Sequence, residues 1–181
     1  GLSRGPHLLG PVAEHAGQIA LHPVDLRHGF IELLREHAHA AVEAPDQGTE
    51  LGHVAHAFLA LLLDHGAQLE QALLNLAVNA RDAMSHAGTL TVSVERRQHA
   101  DATTVGVLAV SDTGHGIAPE AQPHIFEPFF STKDSASGSG LGLAMVYGFV
   151  QQTGGTISFT TSVGHGTTFE LSFPLAQPPG Q

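Results

Sequence analysis

From Leu69 to Met84 the chain reads LEQALLNLAVNARDAM, and no other run constrains the fold as much. At 3.6 residues per turn, Leu69, Leu73, Leu76, Ala77, Ala80, Ala83 and Met84 form one broad apolar face, with Gln68, Gln71, Asn75, Asn79 and Asp82 on the other. The apolar face must therefore be core. The polar stripe is less ordinary. A solvated stripe is usually built from Lys and Glu, which form helices well, whereas Asn competes for its own backbone and is a poor interior choice. Amides there point to a lined cavity, and their carbonyl oxygens are hard donors of the kind Mg2+ accepts beside phosphates.

The layer that covers this helix is readable downstream. GTLTVSVERR at 88–97 and TTVGVLAVSD at 103–112 alternate with period two and are rich in Val and Thr, so both read as strands. LGLAMVYGFVQQ reads as a helix closed by Gly154 and Gly155, and TISFTTS with GTTFELSFP forms a hairpin around VGHG. Upstream, Asp25 is a suitable N-cap for a helix with Leu26, Phe30, Leu33 and Leu34 at helical spacing. Thr49 to Asp64 fits either a helix or two short strands. The order predicts an α+β fold, a two-layer α/β sandwich with a mixed sheet and helices on one face. Residues 1–21 read as a linker or the remnant of an upstream element, 22–175 as the domain and 176–181 as a tail.

Composition narrows the function. The 181 residues suffice for one core that buries roughly 70% of the unfolded surface. With 7 basic against 17 acidic residues, the chain is too acidic to bind a nucleic-acid backbone as its main partner. There is no cysteine, hence no disulfide framework and no thiol nucleophile. No apolar run approaches the roughly 18 residues of a spanning helix and no leader opens the chain, so a soluble, cytoplasmic segment without direct membrane contact is expected. Of the 14 histidines, His37 with His39 and His53 with His56 are closely spaced, but no Cys or carboxylate set accompanies them at metal-ligand spacing. They read as packed or solvated imidazoles.

Four stretches carry chemistry. The first is the amide stripe. In the second, SDTGHGI, a strand runs out into Asp112 and then Gly114 and Gly116. A carboxylate at a strand end can accept a hydrogen bond from an exocyclic amine, which distinguishes adenine from guanine, while glycine lets a flat ligand approach the backbone. The third, GSGLGLAMVYG, places Gly138, Gly140 and Gly142 at a helix start, where free N–H groups and the dipole favour anions. It lacks the GK[ST] of a P-loop and the βαβ frame of a dinucleotide turn. In the fourth, FEPFFSTK, Lys133 is a mobile point charge able to reach a terminal phosphate, and Phe126, Phe129 and Phe130 are expected to anchor the loop in the core. Each alone has a plain structural reading, as a surface stripe, an Asp-Thr-Gly turn, a flexible loop or a packed loop.

Together, and in this order, they resemble the catalytic ATP-binding domain of sensor histidine kinases, within the ATPase superfamily that includes gyrase, Hsp90 and MutL. NLAVNARDA looks like the family's N box, DTGHG its first glycine box, FEPFF its phenylalanine box, GSGLGL its second glycine box and GHGTTF its last, covering Leu69 to Pro174, with PVDL near residue 24 upstream. The resemblance implies ATP and Mg2+ as cofactors, with Asn75, Asn79 and Lys133 as the catalytic group and Asn79 binding Mg2+ through its carbonyl. It implies that Asp112 holds the adenine amine and that Gly114, Gly116 and Ile117 line the base pocket. Lys133, Gly138, Gly140, Leu141 and Gly142 would hold the outer phosphates under a mobile lid, 132–139, with Asp82 and Phe130 also at the nucleotide. Thr168 would support Asp112 or a pocket water. Gyrase-like relatives carry a glutamate base at the position of Asn75, and an amide cannot serve so; the resemblance thus favours phosphotransfer to a partner histidine over hydrolysis. No histidine here has the context of the family's phosphoacceptor, and His15, His28 and His37 are poor candidates. The acceptor, on a helical dimerisation domain, is expected upstream or in another protein, with a response regulator served indirectly and this segment monomeric. A gyrase-type ATPase and a nucleotide-sensing module without transfer are the alternatives.

Overall fold

The computed structural model describes residues 14–21, 50–85, 88–98, 103–133 and 139–175. The helix expected after Asp25, the tail and Gly138 lie outside these. Strand β1, Glu14–Leu21, precedes helix α1, Glu50–Met84. Strands β2, Leu90–Gln98, and β3, Thr104–Asp112, follow, then a 3-10 turn, Gln122–His124, helix α2, Gly142–Gln152, and strands β4, Thr156–Ser162, and β5, Gly166–Pro174.

The segment left open between helix and strands is helical, and it joins the Asn helix across a kink at His65, where φ is −134° and ψ 22°. Gly66 follows immediately, and such a pair is where a helix bends at little cost. His65 meets the ring of Phe149 edge-on at 6.4 Å, so the kink is seated on α2. Ser85, with φ of 57°, ends α1 in the left-handed conformation usual after a last helical turn.

The strands form one sheet in the order β1-β2-β3-β5-β4. Two findings depart from expectation. Part of the stretch read as a linker, 14–21, is the edge strand β1, paired with β2 from Glu14↔Arg96 to Leu21↔Leu90. And the sheet is antiparallel in every pairing rather than mixed. The helical connection through α2 does make β3 and β4 run the same way, but β5 inserts between them, so no two parallel strands become neighbours.

The core lies between the sheet and the two helices. Leu69, Ala72, Leu73, Leu76, Ala77, Ala80 and Met84 of α1 pack with Val146, Phe149 and Val150 of α2 against Leu90, Val92, Leu108, Val110, Phe169, Leu171 and Phe173. Each large side chain so buried contributes roughly 1.5–3 kcal/mol. On β5, burial alternates with period two: Thr167, Phe169, Leu171 and Phe173 face the helices. The opposite face carries Arg97, bonded to Glu95 on its own strand and through both terminal nitrogens to Glu170 on β5, at 2.9 and 2.8 Å.

Candidate functional site

The stripe of α1 divides: Gln68 and Gln71 are exposed, while Asn75, Asn79 and Asp82 turn into the fold. Its second half forms one wall of a cavity of about 500 Å³ whose other walls are the end of β3, the segment after it, the phenylalanine loop and the start of α2. Asn75, Asn79 and Asp82 line it from α1, Asp112, Gly116 and Ile117 from the β3 end, Phe130 and Lys133 from the loop, and Gly140 and Gly142 from the approach to α2.

Asp112 is the buried anion of the site, 8% exposed. Its Oδ1 accepts the N–H of Gly114 at 2.8 Å, the local bond that Asp makes two residues on at a turn. Burial pushes its carboxyl above the usual range; the backbone N–H groups of Gly114 and Thr167 and the nearby His115 pull it back only in part. The loop that follows is pinned on both sides: His115 N–H donates to the Ala83 carbonyl at 3.1 Å, and its own carbonyl accepts from Gly164 at 2.8 Å. Gly116 has φ of 74°, and a Cβ there would collide with the Ser162 carbonyl. The His115 ring donates through Nδ1 to the Gly116 carbonyl at 2.6 Å.

At the other end of the cavity, Lys133 Nζ lies 2.7 Å from Asp82 Oδ2 and 3.4 Å from Asn79 Oδ1. Arg81 holds the other oxygen, Asp82 Oδ1, through Nε at 3.0 Å and Nη2 at 2.8 Å. Burial works to raise the Asp82 carboxyl, but the hydrogen bonds from Lys133 and then Arg81 outweigh it and hold the group below its ordinary value. Asn75 is bonded in both directions, donating from Nδ2 to the Gly142 carbonyl at 3.3 Å and accepting from Gln71 at 3.2 Å. It ties α1 to the start of α2.

Not every expected residue faces the cavity. Gly114 stands behind the wall against Ala83, and Leu141 is the N-cap of α2, with no side-chain cap bond. Thr168 is on the wrong side of its strand: its hydroxyl meets Ser111 Oγ at 2.8 Å, while Thr167 is buried, opposite Asp112 in register, and lines the cavity. Phe129 does not anchor the loop. It is 77% exposed with φ of 68°, and its N–H donates to the Gly140 carbonyl at 2.9 Å, closing the base of the loop. Gly140, φ 67°, has Phe129 backbone carbon 2.5 Å from where a Cβ would stand. Phe126 and Phe130 do pack on the core. Unforeseen lining residues are His115, Thr167 and an apolar wall including Ala121, Ile125 and Phe169.

These donors fit Mg-ATP. The cavity admits a nucleotide, Asp112 is an acceptor at one end, and at the other an ammonium already sits on two hard oxygens, the chemistry a small cation would meet. Among the described residues no group of three or more His, Cys, Asp or Glu could hold a metal by itself. No helix among them is long and apolar enough to cross a membrane.

Comparison with known proteins agrees with the geometry. Residues 64–177 match the model of the histidine kinase-, DNA gyrase B- and HSP90-like ATPases. The sensor kinase CckA of Brucella abortus (strain 2308) is 43% identical over 134 residues, 63% of this chain and 14% of that protein. The sensor histidine kinase ZraS of Escherichia coli (strain K12) is 42% identical over 109 residues, 60% of this chain and 22% of that protein. The crystal structure of full-length ShkA in complex with AMPPNP superposes with a TM-score of 0.50 at 33% identity, over 62% of this chain and 22% of ShkA. The chain thus spans less than a quarter of each of these relatives.

Proposed function

The chain belongs to the histidine kinase-, DNA gyrase B- and HSP90-like ATPase family, and on that footing we propose that it binds Mg-ATP in this cavity and donates the γ-phosphoryl group to a histidine on a separate phosphoacceptor domain. The observation that carries the reading is the convergence on one cavity of Asp112 at one end and Asn79, Asp82 and Lys133 at the other. Asp112 accepts the adenine amine, which guanine lacks. Lys133, with the N–H groups of the first turn of α2 from Gly142, meets the outer phosphates. Asn79 offers its carbonyl to Mg2+, which neutralises charge that develops on the transferred group.

Transfer rather than hydrolysis is supported by position 75. The Asn75 amide cannot take a proton from water, both its ends are engaged, and Glu70, the acid nearest before it, does not line the cavity. The chain's part is positioning and charge neutralisation, so the phosphoacceptor histidine lies on the partner, and a response regulator is served at one remove.

Titration with AMPPNP, with and without Mg2+, and phosphoryl transfer from ATP to a histidine-bearing helical domain test the proposal on wild type and Asn79→Ala. Mg2+-dependent binding and transfer that are both lost in the variant are expected. Transfer that survives Asn79→Ala, or steady hydrolysis with no acceptor present, would overturn it.

A further inference from the structure

We infer that Asp82 is a positioning residue that aims the Lys133 ammonium at the terminal phosphate of the nucleotide; this rests on the proposed reading of the cavity. The two residues come from distant parts of the chain and meet at 2.7 Å, with side chains only 27% and 34% exposed. An ammonium has three donors. One goes to Asp82 Oδ2 and one, at 3.4 Å, to Asn79 Oδ1, so among the described residues one is left, and all three residues line the same cavity.

Asp82 is itself held. Its second oxygen accepts both Nε and Nη2 of Arg81, so the carboxylate is divided between two cations and its orientation is fixed from the helix side. A free lysine stem loses considerable rotamer freedom when its head is fixed, and a head already held by Asp82 does not incur that loss on binding. Of the two anchors, Asn79 offers the oxygen that Mg2+ would claim. Asp82 then remains as the one that keeps Lys133 in place when metal and nucleotide are present together.

A residue that acts through another leaves a signature in binding. With Mg2+ present, the ratio of the dissociation constants of ADP and AMPPNP reads the contact to the terminal phosphate. In wild type the ratio favours AMPPNP. Lys133→Ala is expected to reduce that preference on the order of tenfold, the scale of one charge-assisted hydrogen bond. Asp82→Asn should reduce it nearly as much while ADP affinity holds, because ADP lacks the terminal phosphate that the positioned ammonium meets. In the Lys133→Ala background Asp82→Asn should have no further effect on the ratio. Asp82→Glu, which keeps the charge one methylene further out, should recover part of it, and it carries the test if the amide variant fails to fold. A ratio unchanged by Asp82→Asn, or equal additive losses in the double variant, would overturn the assignment while leaving nucleotide binding intact. A wild type that binds neither nucleotide would overturn both this assignment and the reading beneath it.

Discussion

Replacing Asp112 with Asn tests the end of the cavity proposed for adenine. The carboxylate is buried, and its Oδ1 is occupied by the Gly114 N–H at 2.8 Å, with the Thr167 N–H also directed at the group. An amide has one acceptor oxygen. If it serves Gly114 and Thr167, its NH2 meets the adenine amine, donor against donor; if it turns, a buried N–H group loses its partner. A hydrogen bond to a charged acceptor is worth about 1.5–3 kcal/mol, so AMPPNP affinity should fall about 10- to 150-fold. Folding should change far less. Burial raises the Asp112 carboxyl, which means the fold favours its protonated form: that stability is full below the unfolded value of 3.8 and is lost as pH rises through the raised folded value. An amide carries no such penalty at neutral pH, and this offsets the imperfect bonds, leaving the variant within about 1 kcal/mol of wild type. Binding has the opposite pH sign. The adenine amine needs the carboxylate, so wild-type affinity should weaken as pH falls into the raised carboxyl range, whereas Asp112→Asn should be flat there. Calorimetric titration of AMPPNP and its guanine counterpart in Mg2+, across pH, reads all of this. A variant within twofold of wild type that keeps the preference for adenine would refute the assignment of Asp112 to the base.

The adjacent threonines offer a sharp contrast. Thr167→Val should weaken AMPPNP binding about 5- to 10-fold, the worth of a neutral hydrogen bond near 1 kcal/mol, and Thr168→Val should leave it unchanged, since the Thr168 hydroxyl meets Ser111 on the far face and does not line the cavity; the same titration decides between them. On that far face, Arg97 holds the Glu170 carboxyl below its ordinary 4.5 by hydrogen bonds that outweigh burial. The stabilisation is present above the unfolded value and lost as pH falls through the depressed folded one, so Arg97→Met should cost about 1–2 kcal/mol at pH 7 and flatten the acid limb of a plot of Tm against pH. An acid limb that keeps the wild-type slope would show that Glu170 is not the group responsible.

Much of this architecture is legible in residue order because periodicity reports which face a side chain takes. The 3.6-residue stripe of α1 and the alternation in β2, β3, β4 and β5 place the core correctly. Periodicity does not report which strand lies beside which. The order of elements suggested a mixed sheet, and only the return of β5 between β3 and β4 made every pairing antiparallel. It also fails for a strand such as β1, whose Gly- and Pro-flanked residues show no strong period and which exists by pairing with β2. The Thr168 assignment is a different case, because the needed signal was present. Phe169, Leu171 and Phe173 share the parity of Thr167, so in GTTF the first threonine had to face the helices and the cavity between the layers, and the second the outer surface. Phe129 could not be foreseen by the same means. A bulky residue with positive φ is a costly choice that local pattern disfavours, and here it is fixed by the bond that closes the loop on Gly140.

On the proposed reading, the charges around the cavity bear on why a metal belongs there. Among the described lining residues, Asp82 and Asp112 stand against Lys133, and Lys133 is already neutralised by Asp82. The whole chain carries a formal charge of −10. Its side chains therefore do not present a field that draws a polyphosphate in, unlike a site built on several Lys and Arg. Attraction must come from groups that carry no formal charge, the N–H groups where α2 begins, and from a cation that arrives with the nucleotide. On the proposed reading this makes Mg2+ a condition of affinity as well as of transfer. It also gives the Asn stripe its physical sense: a carboxylate at Asn79 would bind the metal in the absence of nucleotide and add a third negative charge to the cavity, whereas an amide coordinates weakly enough that metal and phosphates stabilise each other only together.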